Sequence, residues 1–283
     1  MHKIATIGFF DGVHKGHQFL FSHLRTIGEE RGLAPLIVTF DDHPRAVLES
    51  DYIPQLLTSR EEREKQLNQY GEVLMLSFAE VQPLTALEFM TRLRDEYDVA
   101  AILMGYDHRF GSDKLKHPQD YRRIGEQCGV EVLTLGEYIE NEWHVSSTEI
   151  RSALENGNIA MANDLLGHPY VVRGRVVHGK AIGRTIGFPT ANIAPLEPHK
   201  IIPKSGVYIA LVNTPTRDDA PAFVNIDANK LIEVYVPSFK GDLYDQILKI
   251  RFVRFLREEK HFDTLEELRA QIKEDVDSIL RLA

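Results

Sequence analysis

Thr6-Ile7-Gly8-Phe9-Phe10-Asp11-Gly12-Val13-His14-Lys15-Gly16-His17 is the stretch on which the fold turns. An apolar run, Ile4–Phe10, breaks into a glycine-studded turn, and two histidines three residues apart follow. A helical pattern comes next: Leu20, Leu24 and Ile27 recur four and three apart, and Gly32 is placed to end it. Strand, glycine turn and helix N-terminus in that order make a phosphate site. The helix dipole favours an anion there, and glycine lets the backbone approach. Gly8, Phe9, Asp11 and Gly12 are the candidate nucleotide-binding residues of the turn, and His14 and His17 add side-chain donors. Isolated glycines would be turn residues and a bare H-x-G-H two surface histidines; the whole string points to a nucleotide.

Outward from this string, four more apolar runs follow: Leu33–Phe40, Glu72–Phe78, Val99–Gly105 and Val130–Leu135. Several lack polar alternation, as in strands buried on both faces of a parallel sheet. Charged, helix-friendly segments lie between them at Ser59–Tyr70, Leu84–Tyr97 and Pro118–Cys128, the first opened by a Ser/Thr–Glu capping box. The alternation predicts an open, parallel, Rossmann-like α/β domain over residues 1–166, with ligands at the carboxyl ends of its strands.

Three further strings fall at such ends. Thr39–Arg45 is either a polar loop ended by proline or a second wall of the pocket. Met104–Gly111 offers Gly105, Asp107 and Arg109 to a ligand, or is simply an ordered turn. In Ser146-Ser147-Thr148-Glu149-Ile150-Arg151, Ser146 and Glu149 satisfy a capping box. The same helix start suits an anion, with Ser146, Ser147 and Thr148 as binding candidates and Arg151 as a clamp on a leaving pyrophosphate. Asn156–Leu166 reads as a short helix leading out of the domain.

From residue 167 the texture changes. Tyr170–Val177, Val207–Val212, Ala222–Ile226, Leu231–Val236 and Ile247–Phe255 alternate with glycine turns, predicting a small antiparallel β-barrel over 167–283. Gly183, Arg184, Gly187 and Pro189 are candidates to cradle phosphates, and Thr190 and Asn192 offer neutral oxygens to a magnesium ion; alone, Pro-Thr-Ala-Asn would more often be a turn. Glu233 interrupts an apolar strand, either on the solvent face or facing inward as a base for an attacking hydroxyl. Thr264–Leu282 repeats apolar residues at three and four and predicts a terminal amphipathic helix.

The bulk numbers set bounds. A chain of 283 residues sits near the size at which one core gives way to two domains. A net charge of −9 argues against nucleic-acid or anionic-membrane partners, so phosphate must be met by local groups. One cysteine, Cys128, excludes an internal disulfide framework and suits a reducing compartment. Met1-His2-Lys3-Ile4 reaches a polar segment too soon for a signal peptide, and no apolar run approaches the ~20 residues of a membrane span. The expectation is a cytoplasmic protein with small-molecule partners, self-association being compatible with it.

Read together, GFFDGVHKGH, TFDDHP, GYDHRFG, SSTEIR, IGRTIGFPTAN, IEVYV and FKGDLYD resemble the bacterial bifunctional riboflavin kinase/FMN adenylyltransferases, or FAD synthetases, almost end to end. The resemblance implies ATP-dependent phosphorylation of riboflavin to FMN in the C-terminal domain, then adenylyl transfer from ATP to FMN in the N-terminal one, giving FAD. It also implies that Thr190 and Asn192 serve magnesium and phosphate, that Glu233 is the kinase base, and that His14, His17 and Arg151 stabilise phosphate charge. The sequence departs from the family pattern at Asp42, His108 and Glu149 and, in the barrel, at Asp227 and Asp245, with a shorter loop before Glu233. These departures keep open a kinase-impaired adenylyltransferase and a non-catalytic flavin-binding regulator; a cytidylyltransferase would share H-x-G-H but leave PTAN unexplained.

Overall fold

The computed structural model describes residues 1–106, 108–136, 138–140, 143–179, 183 and 187–280. They form two compact units, Met1–Ser147 and Thr148–Ala283.

In the first unit the elements run β1 (Lys3–Ile7), α1 (Lys15–Arg31), β2 (Ala34–Phe40), α2 (Pro44–Leu48), α3 (Arg60–Leu67), β3 (Glu72–Leu76), α4 (Phe78–Val81), α5 (Ala86–Tyr97), β4 (Val99–Met104), α6 (Pro118–Cys128) and β5 (Glu131–Thr134). A two-residue ribbon, β6 (Ile139–Glu140) with β7 (Trp143–His144), closes the list. The sheet order is β3-β2-β1-β4-β5 and every pairing is parallel. Ile4, Ile37, Ala101 and Leu103 pack on one face with Phe21 and Leu24 of α1 and Leu67 of α3. Ala5, Leu36, Val38 and Ile102 pack on the other with Phe89, Met90 and Leu93 of α5 and Tyr121 of α6. Burial on both faces is why these strands lack alternation. The chain order reverses between β1 and β4, and a parallel sheet opens its ligand crevice at that switch point.

Helix signals locate the ends well. Gly32 at φ 66 closes α1, and Ser59 with Glu62 forms the reciprocal capping box of α3. The first strand stops at Ile7, earlier than its apolar run, because Gly8–Phe10 already belong to the turn.

The second unit opens with α7 (Ser147–Glu155), whose first residue closes the first unit, and α8 (Ile159–Leu166). It continues with β8 (Tyr170–Val177), β9 (Ala191–Pro195), β10 (Gly206–Thr214), β11 (Arg217–Ile226), β12 (Ile232–Tyr235), β13 (Ile247–Arg257) and α9 (Leu265–Leu280). The strands close into an antiparallel barrel of order β10-β11-β12-β9-β8-β13. The strand missing from the sequence reading is β9, hidden because the PTAN string reads as a turn. Asn163 on α8 accepts from the Tyr170 N–H at 2.7 Å and donates to the Phe252 carbonyl at 2.9 Å, fixing this helix to β8 and β13. A partly buried ion pair, Arg257–Asp275 at 2.7 Å, fixes α9.

Candidate active sites

The turn after β1 is forced into an unusual path. Phe10 (φ 56), Gly12 (φ 81) and Val13 (φ 43) all take left-handed backbone, which glycine accepts but a β-branched valine resists. Such a conformation persists only where surrounding contacts impose it. Asp11 supplies them. Its carboxylate, 4% exposed, accepts from the Leu57 and Thr58 N–H groups at 3.0 Å and from the Thr58 hydroxyl at 3.1 Å. The Gly12 N–H donates to Thr58 Oγ1 at 3.0 Å, and Ser147 Oγ donates to the Asp11 carbonyl at 2.9 Å. The side chain expected to bind nucleotide therefore holds the loop to the start of α3. Leu57 and Thr58 were not legible as its partners, because they lie 46 and 47 residues away.

This loop delivers His14 and His17 to the first turn of α1. Their rings stack at 3.6 Å with 20° between planes, and Phe10 meets His17 edge-on at 5.2 Å. Burial, with His14 beside it, holds the His17 pKa well below the ordinary histidine value. The ring is therefore neutral at pH 7.

Gly8 follows β1 directly and donates to the Val38 carbonyl at 3.0 Å. The Phe9 ring lies over the Arg63 guanidinium at 3.9 Å and meets His43 edge-on at 4.8 Å. Asp41, in the second string, accepts from the Phe78 N–H at 3.2 Å and holds the end of β2 to α4. After β4, Gly105 is half-buried and Arg109 exposed, in a loop pinned by Tyr121, whose hydroxyl donates to the Phe110 carbonyl at 2.9 Å. Asp107 lies outside the described residues. Ser146, Ser147 and Arg151 are half-buried and Thr148 exposed at the start of α7.

In the barrel, strand register does the assembling. Glu233 pairs with Asn192 across β12 and β9 and with Asn225 across β12 and β11, which puts the three side chains on one face. That face is not the interior: Ile232 and Val234 point into the core, and Glu233 lies opposite. Of the two faces that the sequence leaves open for Glu233, the strand's alternation gives the one away from the core, where the residue is half-buried and not bathed in bulk water. Desolvation raises its pKa, Asp227 raises it further, and a hydrogen bond with Thr190 pulls it down. Gly183 is enclosed: a Cβ there would meet the Phe188 carbonyl oxygen at 2.3 Å, and its own carbonyl accepts from the Phe188 N–H at 2.8 Å. It thereby fixes the turn carrying the exposed Gly187 and Pro189 and the half-buried Thr190. Arg184 lies outside the described residues. Asp227 accepts from the Asn229 and Leu231 N–H groups at 2.8 Å, so it seals the short hairpin before β12.

Among the described residues no cluster of three or more His, Cys, Asp or Glu side chains is arranged to hold a metal. Thr190, Asn192 and Glu233 form an oxygen set with one carboxylate, which suits a magnesium ion completed by substrate phosphates.

The geometry thus defines a class: an α/β unit built for nucleotide phosphates, joined in one chain to a barrel bearing a carboxylate–hydroxyl cluster. Residues 1–149 match the family model described as FAD synthetase, and residues 166–283 the one described as riboflavin kinase. The bifunctional riboflavin kinase/FMN adenylyltransferase of Buchnera aphidicola is 33% identical over 288 residues, covering 97% of this chain and 91% of that protein. Its namesakes in Escherichia coli K12 and Bacillus subtilis 168 are 34% and 35% identical, covering 96% and 99% of this chain and 90% and 92% of theirs. The chain belongs to the bifunctional riboflavin kinase/FMN adenylyltransferase family. A crystal structure described as a macrolide-efflux protein from Streptococcus pneumoniae shares the fold, with TM-score 0.88 and 31% identity over 98% of this chain and 93% of that one. That description concerns the pneumococcal protein; among the described residues here, no helix is long and apolar enough to cross a membrane.

Proposed function

We propose that this chain makes FAD in two steps. In the barrel, the riboflavin 5′-hydroxyl attacks the γ-phosphorus of ATP, giving FMN and ADP, with Glu233 accepting the hydroxyl proton. Thr190 and Asn192 would hold a magnesium ion, which supplies charge neutralisation on the phosphates. Gly183, Arg184, Gly187 and Pro189 would cradle them. In the functional division of residues 1–166, an FMN phosphate oxygen attacks the α-phosphorus of a second ATP, and pyrophosphate leaves. His14, His17 and Arg151 stabilise the phosphate charge there, and no covalent enzyme intermediate is needed. Gly8, Phe9, Gly12, Gly105, Asp107, Arg109, Ser146, Ser147 and Thr148 complete the binding surface, and Asp11 acts through the loop it holds. Chemically, residues 148–166 go with adenylyl transfer, giving functional divisions of 1–166 and 167–283. The compartment is the cytoplasm and the partners are small molecules, with self-association compatible.

The observation carrying the two-step reading is that Glu233 stands beside Thr190 and Asn192 despite the altered hairpin. Asp227 favours a second reading, an adenylyltransferase with an impaired kinase, because it adds negative charge next to Glu233. A chromatographic product assay with ATP, magnesium and either riboflavin or FMN separates them. FAD from both substrates supports two steps, and FAD from FMN alone supports the second reading. No product from either returns the chain to a flavin-binding role.

A further inference from the structure

Arg63 has no part in the chemistry above, yet among the described residues it is the bulkiest of the fully buried side chains, at 1% exposed. It projects from α3, which packs on the Asp11–Val13 turn. Its Nη2 donates to the carbonyl of Phe40, the last residue of β2, and its guanidinium lies 3.9 Å beneath the Phe9 ring. Its Nε is buried with no hydrogen-bond partner. Burial lowers its pKa to about 10, so it remains a cation at pH 7; Asp11 and Asp41 favour that charge, as does Glu64, and Arg60 opposes it. An apolar side chain of equal volume would fill this space without the cost of burying a charge. The cation has a reason to be here. Asp11 and Asp41 both spend their carboxylates on backbone N–H groups, Asp11 within the turn that follows β1 and Asp41 directly after the neighbouring β2. Without Arg63 both carboxylates would lose this buried cation at the base of the loop.

We propose that Arg63 is a positioning residue of the adenylyl-transfer site. Its buried guanidinium cancels the Asp11 and Asp41 carboxylates beneath the phosphate loop and props Phe9, so that the triphosphate meets a floor without repulsion. This rests on the nucleotide reading of the first unit.

The test is steady-state kinetics of FMN→FAD on the full chain, with the riboflavin→FMN step as a control on folding. Arg63→Met should raise the KM for ATP about tenfold with a smaller change in kcat, as expected for one uncompensated charge at this range. Arg63→Lys should stay within about threefold of wild type, since charge and not shape is claimed. Asp41→Asn keeps the Oδ1 acceptor and removes a charge. In the Arg63→Met background it should recover most of the loss. Alone, with Arg63 in place, it should lower the KM about twofold or more, which keeps the test alive should Arg63→Met fail to fold. An unchanged KM in Arg63→Met, a Lys variant as poor as Met, or no gain from Asp41→Asn overturns the proposal. Wild-type protein that makes no FAD sinks the adenylyl-transfer reading instead. Binding of α,β-methylene ATP, with His17→Ala reporting the barrel's share, then decides on Arg63: weaker binding by the Met variant supports the proposal and equal binding overturns it.

Discussion

Between Gly8 and His14 the backbone bends through three left-handed residues, held by Asp11, Thr58 and Ser147, groups far apart in the chain. In the barrel, Asn225, Glu233 and Asn192 come abreast through ordinary strand register. One site is imposed on its backbone by tertiary contacts, and the other follows from secondary structure with a polar face left half-open. The imposed site should fail all at once when a support is removed. The register-built site should lose function residue by residue while its frame stands.

The strongest test of that contrast is His17→Ala, expected to lower FMN→FAD turnover by about 10²–10³ through loss of a charge-stabilising donor. Riboflavin phosphorylation should be unaffected, and loss of both activities would break the division of labour. Glu233→Gln is the mirror experiment: the kinase step should fall by about 10² or more, with FAD still formed from supplied FMN. Asp11→Ala removes no chemistry but should cost about 2–4 kcal/mol and unfold the first unit early in a denaturant titration. FAD synthesis should go with it while the kinase survives. If Asp11→Ala loses catalysis with no change in stability, Asp11 contacts substrate after all.

Acid sharpens the comparison. His17 has a lowered pKa when folded, so it binds a proton more readily unfolded. Its contribution to stability is therefore complete above the ordinary histidine pKa of about 6.5 and fades as pH falls through the lower folded value. Anion binding favours the charged ring, so the ATP complex should take up protons, seen as a buffer-dependent heat in calorimetry. His17→Ala should remove that heat. The smallest effect is expected from Asp227→Asn, which keeps the acceptor for Asn229 and Leu231. It relieves Glu233 of a neighbouring charge, lowering the carboxyl pKa and shifting the rise of the kinase pH profile toward acid, with kcat at neutral pH changed by about threefold or less.

Legibility in the sequence divides along the same line. All five strands of the first sheet showed as apolar runs, because burial on both faces removes alternation and leaves composition as the signal. The histidine pair is legible from the whole string GFFDGVHKGH, since its spacing alone would fit two surface histidines. Arg63 and Thr58 were invisible as site supports, since nothing local marks a buried arginine inside REER or tells a capping Ser-Thr pair from a clamp on a loop. In the barrel, Glu233 was legible as an anomaly in an apolar strand. Its face was not, because alternation fixes which residues share a side and leaves open which side is the core. The motif marks Asn192, while the strand that carries it is hidden, since a proline–threonine pair reads as a stop.

Barrel closure is by β13 against β8, its last strand against its first. On the ribosome, the parallel sheet has its fifth strand once Thr134 has emerged, whereas the barrel waits for Arg257, on the order of ten seconds later. The unit with the left-handed loop is thus free to fold first, and the barrel's strands remain unsealed until β13 has been made.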